Sequence, residues 1–138
     1  MIDLHSHTTA SDGQHPPSEQ MTLAHHAGIT VLAVTDHDTV KGLAESQQAA
    51  DALGVRLVPG IEISAHLNGR EIHILGHFID PKNQALIAFC DALEIERAER
   101  MEGMVEKINA LGYPISMDEV RALSGGENLC RPHLARAL

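Results

Sequence analysis

Residues 29–38, ITVLAVTDHD, decide how this chain folds. The run from Ile29 to Thr35 is short and almost wholly apolar, the mark of a strand buried on both faces of a sheet. Directly behind it stand Asp36, His37 and Asp38. Open parallel α/β sheets and barrels gather their sites at this end of their strands. On the N-terminal side, SEQMTLAHHAG (18–28) has apolar residues at helical spacing and a closing Gly28. Before it, TASDGQHPP (9–17) reads as loop, and MIDLHSH (1–7) alternates as a half-buried strand does. On the C-terminal side, residues 38–54 predict a helix capped by Asp38 or Thr39 and closed by Gly54. VRLVPGIEIS (55–64) predicts a strand bent at Pro59-Gly60, and EIHILGHFI (71–79) another. Between them, Asn68-Gly69 is a strong hairpin signal. The order is β-α-β-α-β-β, an α/β class chain with parallel strands, right-handed crossovers and one antiparallel hairpin.

From Pro81 the pattern changes. Residues 83–112 form a long amphipathic helical stretch with Gly103 as an expected break. Residues 116–126 predict a short helix starting at Ser116, and RPHLARAL (131–138) begins another. The chain therefore divides into 1–80 and a helical segment, 81–138.

Composition narrows the function. Aromatic residues make up 2% of the 138 residues, too few for base-stacking platforms. A net charge of −9 provides no broad basic face for a long duplex. Bound cations would be needed to attract an anionic substrate. Cys90 and Cys130 lack metal-type spacing and read as free thiols. No basic region followed by an apolar run opens the chain, and no apolar stretch reaches membrane-spanning length, so a cytoplasmic protein is expected.

With 10 histidines, about one His-x-His pair arises by chance, so His5 and His7 alone prove little. Their context adds weight. Asp3, His5 and His7 share a strand face, Asp12 follows in the next loop, and Asp36–Asp38 end the second strand. Glu62 sits between Ile61 and Ile63, and His73 has a similar apolar frame. A carboxylate in apolar surroundings needs a partner. Ligand-type residues thus recur at successive strand regions, which points to a metal site. Asp36 suits an orienting role behind the ligands, and Asp38 a helix cap. His77 reads as pocket-lining or solvated, and His15, His25, His26 and His66 as surface residues.

DLHSHTTASDG, VTDHDT, GIEIS and IHILG together resemble the PHP (polymerase and histidinol phosphatase) superfamily. The similarity is greatest to its small bacterial phosphoesterase branch, which includes 3',5'-nucleoside bisphosphate phosphatases that trim short RNA from the 5' end. RPHLARAL matches that branch too. The resemblance implies a distorted (β/α)7 barrel, here its N-terminal half plus the start of a helical insertion. It implies two to three divalent ions, Mn, Zn or Fe. His5 and His7 would hold the first ion, Glu62 would bridge it to a second bound by His73, and Asp12 and His37 would hold the third. Arg131 and His133 would contact a substrate phosphate, and a metal-bound hydroxide would attack it. The expected partner is a small phosphorylated substrate or short RNA. Members of this branch run to about twice this length and draw further ligands, an aspartate and two histidines, from their C-terminal half. The alternatives are a histidinol-phosphate or other small-molecule phosphatase, and a non-catalytic metal-binding module of a larger protein.

Overall fold

The structure is a computed structural model and describes residues 1–125 and 128–138. Gly126, the last residue of the stretch expected as a short helix, lies outside them.

Strand β2 (Val31–Val34) is the centre of the molecule, with Leu32, Ala33 and Val34 buried. β1 (Ile2–Asp3) pairs parallel to it through Ile2–Val31 and Asp3–Leu32. β3 (Arg56–Leu67) lies parallel on its other side, with Val31 opposite Arg56 and Val34 opposite Pro59. β4 (Arg70–His77) pairs antiparallel with β3, from Gly60–His77 to Leu67–Arg70. The four-stranded sheet therefore has the order β1-β2-β3-β4. Pro59-Gly60 marks where β3 changes partner: residues before it pair with β2, residues after it with β4. A side chain at Gly60 would put Cβ 2.7 Å from Thr35 Cγ2, so the crossing requires glycine.

Helices α1 (Pro17–His26) and α2 (Leu43–Leu53) cover the sheet. Met21 and Ala24 of α1 and Leu43 and Ala50 of α2 pack with Leu32, Val34 and Val55. Gly54 ends α2 at φ +68°, in the left-handed region glycine enters freely. The start of α2 differs from the sequence expectation. Gly42 is its N-cap, so neither Asp38 nor Thr39 caps it. Asp38 adopts φ +54° and commits its carboxylate elsewhere, leaving residues 39–42 to turn into the helix.

α3 (Gln84–Ala110) is continuous through Gly103. Its N-terminus is capped by Asn83, whose side-chain oxygen accepts from the Ala85 and Leu86 N–H groups. α4 (Met117–Ala122) opens with a Ser116–Glu119 capping box, and α5 (Arg131–Ala137) follows. These helices have their own core of Met101, Val105, Ile115, Val120, Leu129 and Leu134. Cys90 and Cys130 are buried thiols with no disulfide between them, and burial pushes them up to about 11 and about 12. Among the described residues no helix is long and apolar enough to cross a membrane.

Candidate metal centre

β1 is shorter than the alternation of residues 1–7 predicts, and His5 and His7 lie beyond it. The Asp3 carboxylate accepts the His5 N–H at 3.1 Å and takes that donor out of the ladder. The chain still follows β2: Ser6 Oγ donates to the Ala33 carbonyl at 2.7 Å, and Thr35 N–H donates to the Ser6 carbonyl at 2.9 Å. These bonds aim His5 and His7 the same way, with their Nε2 atoms 3.0 Å apart.

Glu62 is the hub. It is 4% exposed. Oε2 lies 2.9 Å from His5 Nε2, 3.1 Å from His7 Nε2 and 3.7 Å from His37 Nδ1. Oε1 lies 2.7 Å from His73 Nδ1. A bridge between His37 and Glu62 extends the parallel pairing past the end of β2 and sets these residues side by side. Burial pushes the Glu62 carboxyl up, but the His5 hydrogen bond and the charges of His37, His5 and His7 outweigh it and hold it below its ordinary value. Burial pulls His37 down against the opposing pull of Asp12 and Glu62. Its ring is therefore favoured in the neutral form that ligates metal.

Asp12 reaches the cluster through a loop folded around Asp36. Asp36 is 2% exposed and accepts from Thr8 N–H at 2.7 Å, Thr8 Oγ–H at 2.7 Å and Ser11 Oγ–H at 2.6 Å. The loop also needs Gly13, whose place leaves no room for a Cβ against the His7 carbonyl. Asp12 then stands 3.4 Å from His7 Nδ1 and 3.8 Å from His37 Nε2.

His5, His7 and Glu62; His7, Asp12 and His37; and His37, Glu62 and His73 each offer ligand atoms close enough for one ion. The chemistry fits a cation. The His5 and His7 nitrogens face each other across one carboxylate oxygen, and buried His37 Nδ1 has no hydrogen-bond partner. Two ligands each 2.0–2.1 Å from a shared ion lie about 3.0–3.4 Å apart, which is close to these spacings.

A cavity of about 150 Å³ opens beside the cluster, with Asp12, His37 and His73 on one side and Arg97, Arg100 and Arg131 among its other walls. Glu71 holds the arginines at its mouth, 2.6 Å from Arg131 and 3.9 Å from Arg100. The Arg131 hydrogen bond chiefly holds the Glu71 carboxyl down at about 2. Arg131 thus borders the cavity, whereas His133 is not among its lining residues. His133 is 1% exposed, and its Nδ1 accepts the Cys130 N–H at the start of α5. His77 is tied to the Leu4 carbonyl at 2.8 Å. His15 pairs with Glu19, and His25, His26 and His66 are exposed. Glu71, Arg97 and Arg100 were missed by sequence reasoning. Glu71 lies two residues before His73 on the same strand face, and Arg97 and Arg100 share a helix face three residues apart, so period alone could have flagged them.

The PHP domain family model matches residues 3–94. The chain is 39% identical over 136 residues to a 5'-3' exoribonuclease of Haemophilus influenzae, covering 99% of this chain and 49% of that protein. It is 36% identical over 138 residues to a 3',5'-nucleoside bisphosphate phosphatase of Chromobacterium violaceum, covering 99% and 48%. The solved structure of a Chromobacterium violaceum amidohydrolase with bound sulfate and no metal superposes with a TM-score of 0.92 at 35% identity, over 99% of this chain and 49% of that one. The chain spans about half the length of the curated relatives it matches.

Proposed function

The chain belongs to the PHP domain family, and from that premise we propose a metal-dependent phosphoesterase acting on a small nucleotide, either a 3',5'-nucleoside bisphosphate or the 5' end of a short RNA. On this reading the sheet would be the N-terminal half of a PHP-type barrel, and residues 81–138 the start of a helical insertion; the four-strand order β1-β2-β3-β4 supports the first part. The observation that carries the reading is Glu62, whose two oxygens are shared between separate histidine sets. That arrangement suits a bridging carboxylate between two ions.

His5 and His7 would hold one ion, His73 a second, and Asp12 with His37 a third. Bound divalent ions supply Lewis acidity and lower the pKa of water towards about 7. Asp36 keeps the Asp12 loop in place. Arg131, already poised on a carboxylate, would transfer its planar fork to a substrate phosphate. The downward shifts of buried Glu62 and half-buried His37 favour the ionised carboxylate and the neutral ring, the forms that ligate metal. The names of the exoribonuclease and the bisphosphate phosphatase support phosphate-ester hydrolysis.

The test is phosphate release by the full-length protein, loaded with Mn or Zn, from adenosine 3',5'-bisphosphate, AMP, histidinol phosphate and a 5'-phosphorylated short RNA. Chelator-sensitive turnover that favours the bisphosphate or the RNA is expected. Preference for histidinol phosphate would overturn the nucleotide assignment, and chelator-insensitive hydrolysis would overturn the metal centre.

A further inference from the structure

The helical segment grips the backbone immediately after His37. After His37, Asp38 is 2% exposed and holds φ +54°, a conformation tolerated by aspartate but not favoured. Its N–H donates to the Glu62 carbonyl at 2.9 Å, and its Oδ1 accepts the Ser64 N–H at 2.7 Å. Its Oδ2 accepts from Arg97 Nε at 2.7 Å and from a second guanidinium nitrogen. Arg97 comes from the middle of α3 and is itself 7% exposed. It also donates to Ser64 Oγ at 2.7 Å and Cys130 Sγ at 3.3 Å. Asn128 Nδ2 donates to the His37 carbonyl, in the peptide that joins His37 to Asp38. A buried ion pair is weak evidence of stability, because hydrophobic packing stabilises as well at lower desolvation cost. What this pair supplies is one fixed geometry for a backbone that would otherwise relax.

We propose that Arg97 is a positioning residue for the metal centre. Through Asp38 it locks the backbone turn that presents His37 to Asp12 and Glu62, so the helical segment helps to build the site as well as flanking it. Among the described residues Arg97 donates to Asp38, Ser64 and Cys130 and to none of the candidate ligands, so its effect runs through Asp38 and Ser64. The inference rests on the metal-centre reading above. Its observable is the geometry and affinity of the ion held by His37, which a merely structural helix contact would leave alone.

The experiment compares full-length wild type with Arg97→Lys, Arg97→Met and Met101→Ala. Met101 is buried in the helical core with Val105, Ile115, Val120, Leu129 and Leu134, so its truncation loosens that core while keeping the Arg97 and Asp38 side chains. Cobalt(II) serves as the probe, with affinity from titration and coordination geometry from its d–d absorption; a melt gives Tm. Arg97→Lys keeps the charge but loses the fork, and Arg97→Met keeps most of the volume. Both are expected to bind the His37-held ion roughly 10–100-fold more weakly, the usual effect of losing a group that orients a ligand. Their cobalt spectrum should change as well. Met101→Ala should lower Tm and leave both metal readings unchanged. If Arg97→Met fails to fold, Arg97→Lys decides. Wild-type affinity and spectrum in Arg97→Lys would overturn the role of Arg97 while leaving the metal centre standing. Metal loss in Met101→Ala equal to that in Arg97→Lys would reduce Arg97 to a structural contact. No cobalt binding by wild type would overturn the metal centre and the inference together.

Discussion

Glu62 carries a charge where a strand flanked by Ile61 and Ile63 would ordinarily bury a methyl-rich side chain. Its tie to His5, His7, His37 and His73 explains why the carboxylate is tolerated there. This conflict between charge and apolar frame was legible in the sequence, and so was the candidate ligand set. Asp38 was not. A carboxylate before a helical pattern reads as an N-cap, and nothing local announces a guanidinium arriving from residue 97. The difference changes an expected energy. Loss of a helix cap costs about 1 kcal/mol. Asp38→Ala instead leaves Arg97 buried without its carboxylate, at a cost of about 3–5 kcal/mol. Denaturant unfolding of the full-length protein should read the larger value; a loss near 1 kcal/mol would mean the pair contributes no more than a cap. Arg131→Ala tests the substrate side. Removing a charged hydrogen-bond donor to phosphate should raise KM about tenfold and leave the metal content unchanged. Metal loss without a change in KM would contradict its placement at the cavity mouth.

The hairpin between β3 and β4 turns on Asn68 and Gly69 at φ +51° and +75°, the positive pair a two-residue turn requires. That dipeptide was readable because the turn is decided locally. The N-terminal strand was harder. Alternation in residues 1–7 is real, but the Asp3 side chain competes for a backbone donor and ends the ladder early. His5 and His7 converge all the same, through bonds from residues 6, 33 and 35 that no window of sequence contains. Gly103 failed as a helix breaker for the converse reason: packing by Met101 and Val105 carries α3 through it. A Cβ at Gly103 would meet nothing within 4 Å. Gly103→Ala should therefore stabilise the protein by about 0.5–1 kcal/mol, seen as a higher Tm with unchanged metal content. A fall in Tm would show that the helix needs a glycine there.

At the scale of the molecule, the parallel order of β1, β2 and β3 followed from strand–helix alternation, because crossovers leave few other arrangements. The contact between residues 38 and 97 and the meeting of residues 71 and 131 did not, since they depend on how the helices dock. Among the described residues the sheet is open at both edges: β1 and β4 each pair on one side. Ile2, Leu4, Ile72, Ile74 and Phe78 are exposed in or beside these strands. Open apolar edges recruit other chains. The 138-residue segment made alone should self-associate, and light scattering behind a sizing column would show it. A monodisperse monomer at micromolar concentration would show that these edges need no cover.

The central claim is that Glu62 is shared between ions. Anomalous diffraction from crystals of the full-length protein soaked in manganese tests it most directly. At least two separate peaks are expected, one bonded to Glu62 Oε2 with His5 and His7 and one bonded to Oε1 with His73, each about 2.0–2.3 Å from its ligands. A single peak, or density that leaves either Glu62 oxygen without an ion, would contradict it.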